Sequence, residues 1–301
     1  MKKMKCACII GWILAYSVTD SLNAQEQKVK DLFLWKTEIN GHDLYLAGSV
    51  HAGKAVNYPL PDKYIEAYKK ADVLMMEVEY NFSEIESKIL EYLEGDRLTE
   101  DLYFRNHLDS ATQSKIKFLI GEDKFYKFDV YNGWALNMLL AGQKLKLLGY
   151  DHNFAVDKYF MTLAENDHKP VIGLDSVADQ ITLFKFDVPH PMQIKILERT
   201  AGNLKTMAEQ EVGIIDAYYD ADYEMFDSIM HQIYDLENPQ IKQIYDKLFI
   251  ARNKKWVEAF ERITKEGNHT YFVLVGNGHY FGQENLLALL EEKGYKVERI
   301  K

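Results

Sequence analysis

The chain has 301 residues, with 36 Lys and Arg against 46 Asp and Glu, and a formal net charge of −10 at pH 7. An acidic balance of this size disfavours a phosphate-backbone partner, so no nucleic acid is expected as ligand. With 47% hydrophobic residues over this length there is enough apolar side chain for one large α/β core.

Taken in order, residues 1–24 read as a secretory signal. Lys2, Lys3 and Lys5 make a positive head, Ala7 to Val18 an apolar run, and Leu22 to Ala24 ends on a small residue before Gln25. Cleavage is expected near Ala24, with 25–301 exported, to the periplasm or beyond the cell, as a single domain. The apolar run is shorter than the roughly 20 residues a spanning helix needs, and no second such run follows, so the mature chain is expected to have no membrane span. Cys6 and Cys8 both lie in the leader. Their removal leaves neither a disulfide nor a thiol nucleophile.

Leu32 to Thr37 and Leu44 to Ala47 flank Asn40-Gly41, a pair that tolerates positive φ, which predicts a tight hairpin. Leu44 to His51 reads LYLAGSVH, a strand-like alternation that stops at Gly48 and reaches a histidine three residues later. Asn57 to Leu60 is loop, and Pro61-Asp62 opens a helix through Lys70. Asp72 to Tyr80, DVLMMEVEY, returns as a strand, with Val73, Met75, Glu77 and Glu79 on one face and Leu74, Met76, Val78 and Tyr80 on the other. Two carboxylates near a strand's carboxyl end call for a cation, a proton or water beside them. An edge strand with a solvated face also explains Glu79, and Glu77 less well.

From Ser83 to Leu148 the pattern is mostly helical, with Ser83 and Asp109 as N-caps and a helix over Asn132 to Leu147. Phe125 to Phe128 reads as packing surface. Ala155 to Glu165 is a further helix, and Pro170 to Leu174 a short buried strand ending in Asp175. Pro191 to Lys265 is almost wholly helical, two or three helices broken near Asp220 and Asn238-Pro239, and predicts a helical insertion, about 191–265, that caps the sheet. Strand Tyr271 to Val275, a loop over Gly276 to Gly282, helix Glu284 to Glu292 and strand Tyr295 to Ile300 close the chain. The expected fold class is α/β, a central mixed and largely parallel sheet with flanking helices and a helical cap.

The closing strand ends as the first one does. Tyr271 to His279, YFVLVGNGH, stops at Gly276 with His279 three residues on. Parallel sheets present ligands at the carboxyl ends of their strands, so both tips can face one cleft. With 17 glycines and 9 histidines, one Gly-x-x-His by chance is unremarkable, and the third copy, Gly149 to His152, follows KLKLL and runs into a helix start. It reads as coincidence. His42, His107, His152, His168, His190, His231 and His269 read as surface or loop residues.

The segments LYLAGSVH, ADVLMMEVE, VDKYFMTLAENDHKPVIGLDSVADQ, ARNKKW and VLVGNGHYFGQENLLALLEEKGYKVERI together resemble the TraB/PrgY/GumN family, which includes the animal Tiki proteases, from about Leu32 to Ile300. The resemblance puts the family's first Gly-x-x-His on Gly48 and His51, its strand glutamate on Glu77, its second Gly-x-x-His on Gly276 and His279, and its Arg-Asn pair on Arg252 and Asn253. It implies a fold similar to the erythromycin-esterase and haem-binding ChaN groups. By analogy with Tiki it implies a metal-dependent peptidase that works without an HExxH helix. The chain departs from the pattern at Asp175, where a glutamate is usual, at Ala155, where glycine is, and at Gly133, where proline is.

Two imidazoles and a carboxylate with open positions suit a divalent ion, manganese, cobalt or zinc. On this reading His51, Glu77 and His279 hold the ion, Glu79 is an outer partner or general base, and Arg252 pairs with a carboxylate or clasps that of a peptide or protein substrate. A helix cap or a salt bridge explains Arg252 and Asn253 equally well. Serine catalysis lacks its Gly-x-Ser-x-Gly elbow. Two readings without turnover stay open: a haem- or metal-binding protein with the same histidines as axial ligands, and a peptide-sequestering protein.

Overall fold

In the computed structural model, which describes residues 32–79, 91–183, 189–202 and 212–300, Asn40 and Gly41 take φ of 53° and 82°. That turn folds β1 (Leu34–Ile39) onto β2 (His42–Ser49) in antiparallel register, Leu34 opposite Ala47 and Ile39 opposite His42. The leader with its cleavage near Ala24, and the Ser83 cap, lie outside the described residues.

Four more strands complete one sheet: β3 (Val73–Val78), β4 (Val171–Asp175), β5 (Tyr271–Gly276) and the short β6 (Glu298–Arg299). Their order is β4-β3-β5-β2-β1-β6. The four strands β4, β3, β5 and β2 run parallel, while β1 is antiparallel to β2 and β6 to β1. The sheet is therefore mixed and largely parallel, as the sequence predicts. β3 lies inside it, between β4 and β5, so Glu77 does not stand on a solvated edge.

The helices follow in chain order. α1 (Asp62–Lys70) begins right after Pro61, which needs no amide partner there, and buries Tyr64, Ala67 and Tyr68. α2 (Ser110–Ile120) is capped by the Asp109 carboxylate, which accepts from the Thr112 amide at 2.6 Å. α3 (Glu122–Phe128) buries Phe125 and Phe128, and α4 (Gly133–Leu147) starts behind the Asn132 cap. α5 (Val156–Asp167), α6 (Val177–Leu183), α7 (His190–Gly202), α8 (Gly213–Tyr219), α9 (Tyr223–Ile233) and α10 (Pro239–Tyr245) follow. A π-helical turn, Asp246–Ile250, leads into α11 (Ala251–Glu266), and α12 (Leu286–Glu292) starts one residue after its cap, Asn285.

Among the described residues two hydrophobic cores result. The larger joins the sheet to α1, α5, α8, α9, α11 and α12 through residues such as Phe33, Tyr64, Phe160, Tyr218, Trp256 and Phe272. The smaller packs α2, α3, α4 and α7 on one another through Phe104, Ile116, Phe125, Leu136 and Leu197. The helices between 191 and 265 thus divide: α7 belongs to the second core, and α8, α9 and α11 lie on the sheet. No helix among the described residues is long and apolar enough to cross a membrane.

Candidate active site

β2 and β5 are parallel neighbours, with Ser49 opposite Gly276, so the two Gly-x-x-His segments leave the sheet side by side. β3 is the other neighbour of β5, and it brings Glu77 to the same end. The two motif glycines have separate reasons. The Gly276 amide donates to Glu77 Oε1 at 2.7 Å, and a methyl carbon on Gly276 would stand 3.0 Å from that oxygen. At Gly48 a methyl carbon would collide with the Asn277 carboxamide. The Gly48 carbonyl accepts from Tyr64 Oη at 3.1 Å and Tyr218 Oη at 2.8 Å, so α1 and α8 both pin the tip of β2.

Arg252, on the first turn of α11, is the hub. It is 9% exposed. Its Nη2 donates to Glu77 Oε2 at 2.5 Å, its Nε to Asp175 Oδ2 at 2.9 Å, and its Nη1 to the Leu248 carbonyl at 3.1 Å. Asp175 is held further by Lys255 Nζ and Trp256 Nε1, each 3.0 Å from Oδ1. Gln180 Nε2 bridges Asp175 Oδ2 and Glu77 Oε2 at 3.2 Å each. Burial works to raise the Glu77 pKa, but the charges of Arg252, the largest, and His51 outweigh it and hold the carboxyl ionised, well below the usual carboxylate range.

His279 is 3% exposed, between Phe249 and Trp256, whose rings lie 5.1 and 4.4 Å from its own. Its Nε2 is 3.1 Å from Arg252 Nη1. A guanidinium can only donate, so Nε2 accepts and the ring proton is on Nδ1. There it meets Asn253 Oδ1 at 2.6 Å, while the Asn253 amide donates to the Glu284 carbonyl at 3.0 Å. Burial first, with the Arg252 charge behind it, presses the His279 pKa down to about 3. The imidazole is neutral.

His51 stands in the opposite setting. Its ring is 63% exposed and its Nδ1 donates to Asp157 Oδ2 at 2.9 Å. The Asp157 charge beside it pushes the His51 pKa up to about 9. Asp157 comes from the first turn of α5, where an acidic side chain also suits the helix dipole. His152, from the third Gly-x-x-His, is exposed, yet its Nδ1 donates to the His51 carbonyl at 2.5 Å. That segment is a neighbour of the site.

Of the residues singled out in the sequence, Glu77, Arg252, Asn253 and His279 form one bonded cluster, and His51 acts on Glu77 and His279 through its charge. Glu79 is outside it. β3 ends at Val78, and Glu79, already off the sheet, is exposed. Asp157, Gln180, Lys255 and Trp256 join the site unannounced, and Asp175, noted in the sequence only as a strand end and a departure from the family pattern, joins with them; all five fall in the segments that carry the resemblance, which is the signal that finds them. The donor chemistry suits a divalent ion, because Glu77 Oε2 and the lone pair of His279 Nε2 already face a cation. That cation is Arg252. Among the described residues no group of three or more His, Cys, Asp or Glu stands close enough together to hold a metal ion.

The chain matches the TraB/PrgY/gumN family over residues 33–299. It is 25% identical over 248 residues to the "Uncharacterized protein YbaP" of Escherichia coli strain K12, covering 82% of this chain and 87% of that one. The protein of the same name from Shigella flexneri gives the same identity and coverage. No solved structure matches the chain. With nearly all of its described residues inside that match, the chain belongs to the TraB/PrgY/gumN family.

Proposed function

We propose that this protein is a metal-dependent hydrolase, a peptidase acting on exported peptides or proteins, working at the carboxyl ends of β2, β3 and β5. One observation carries the reading. Both histidines are anchored through Nδ1 by a fixed side-chain oxygen, of Asp157 for His51 and of Asn253 for His279, which leaves Nε2 as the working atom. Metal-bound histidines are held in this way, the outer hydrogen bond fixing tautomer and ring orientation.

His51 Nε2, Glu77 Oε2 and His279 Nε2 would hold a manganese, cobalt or zinc ion. Such an ion supplies a more acidic bound water and a polarised substrate carbonyl. The protein supplies the rest. Asp157 and Asn253 aim the imidazoles. Phe249 and Trp256 wall His279 off from bulk water, which strengthens every charge interaction inside. Glu79, exposed just past β3, is the carboxylate we assign to take a proton from the attacking water.

The test is a peptide-library digest read by mass spectrometry, with the mature protein, its His51→Ala and His279→Ala variants, each added metal and a chelator. Cleavage that needs metal and vanishes in both variants is expected. No cleavage with any metal, from folded protein, would overturn the peptidase, and retention of peptides without cleavage would support sequestration in its place.

A further inference from the structure

The contacts of Arg252 conflict with the ion they resemble. His279 Nε2 has one lone pair, and at 3.1 Å from Arg252 Nη1 that lone pair is spent on the guanidinium. Glu77 Oε2, at 2.5 Å from Nη2, is likewise engaged. We infer that Arg252 is a displaceable latch: its guanidinium and a divalent ion compete for Glu77 Oε2 and His279 Nε2, so Arg252 sets the ion affinity of the site. The inference rests on the metal-dependent reading above and names the residue that regulates it.

The two ends of the guanidinium are held differently. Nε is bound to Asp175, a carboxylate that is buried and therefore needs its cation. Nη1 also reaches Leu248, in the π-helical turn that leads into α11, and π turns recur where a helix carries function. Releasing Glu77 and His279 breaks only the distal contacts. The anchor on Asp175 persists, with Lys255, Trp256 and Gln180 keeping that carboxylate in place. The arm thus pivots about Asp175 and does not leave the site. In the latched state Glu77 is neutralised internally, so an empty site carries no bare buried carboxylate.

The experiment is Co²⁺ binding to the full chain by titration calorimetry, with the visible spectrum of bound Co²⁺ reporting its ligands. Arg252→Met is expected to bind at least tenfold tighter than wild type, Arg252→Lys to fall between, and an Arg252→Met/His279→Ala double variant to lose the gain. Equal or weaker binding by Arg252→Met would overturn the latch and leave the metal reading standing. No Co²⁺ binding by either protein would overturn both. If Arg252→Met does not fold, wild type labelled with ¹⁵N-arginine decides: Zn²⁺ must shift the Arg252 Nη signals, and a Zn²⁺-bound state with those signals unmoved overturns the latch.

Discussion

Gly48 carries no side chain because Asn277 fills the space where one would be. Asn277 is 1% exposed, and neither its Nδ2 nor its Oδ1 has a hydrogen-bond partner among the described residues. A buried amide left unsatisfied costs about 1–3 kcal/mol. Gly48→Ala should therefore destabilise the fold by about 1–3 kcal/mol through overpacking, and Asn277→Ala should be neutral or stabilising. The double variant should lose less than Gly48→Ala alone. Urea denaturation of the four proteins measures the coupling, and simple additivity would show that the glycine has another reason. The histidines predict opposite pH limbs. The folded protein depresses His279 from 6.5 to about 3, so its contribution is complete above pH 6.5 and is lost as pH falls toward 3, with Glu77 adding a loss below 4.5. His51 is raised from 6.5 to about 9, so its contribution is complete below pH 6.5 and is lost as pH rises toward 9. The exposure of His51 makes that second limb shallow. Urea midpoints across pH should show both, with His279→Gln flattening the acid side and Asp157→Asn the alkaline side.

At the scale of elements, local chemistry was legible and tertiary pairing was not. The Asn40-Gly41 turn, the Pro61 start of α1 and the cap at Asp109 follow from backbone rules confined to a few residues, and each stands where the sequence puts it. The paired Gly-x-x-His tips were legible because a strand, its end and its histidine are contiguous. Glu79 lies outside the bonded cluster because face alternation holds only while the strand lasts, and β3 stops at Val78. Asp157 escaped notice for a different reason. An aspartate in a helix's first turn is already explained by the dipole, and only the approach of β2 to α5 gives it His51. The almost wholly helical pattern of 191–265 likewise hides the fact that its helices serve two cores.

For the molecule as a whole, that division predicts two units of stability. The second core holds α2, α3, α4 and α7 together with few ties to the sheet, and such layers open as units below the global unfolding energy. Phe125, 0% exposed at its centre, is the residue to remove. Phe125→Ala should weaken that layer by about 3–5 kcal/mol. In native-state hydrogen exchange its four helices should then lose protection together, while the amides of β2, β3 and β5 keep theirs. Equal loss in both would make the two cores one cooperative body.

The position of β5 has a consequence for how the chain comes into being. It is the fifth in sequence of the six strands among the described residues, yet it lies between β2 and β3 at the middle of the sheet. A nascent chain that has emerged only as far as Thr270 holds β2 and β3 with their inner edges bare, and neither can pair with the other across the gap. Bare parallel edges recruit other chains. The site, which takes Glu77 from one side of that gap and His51 from the other, is also unmade until then. The molecule is thus most vulnerable up to the moment its last long strand arrives, and the hydrolysis proposed for it could not begin before then.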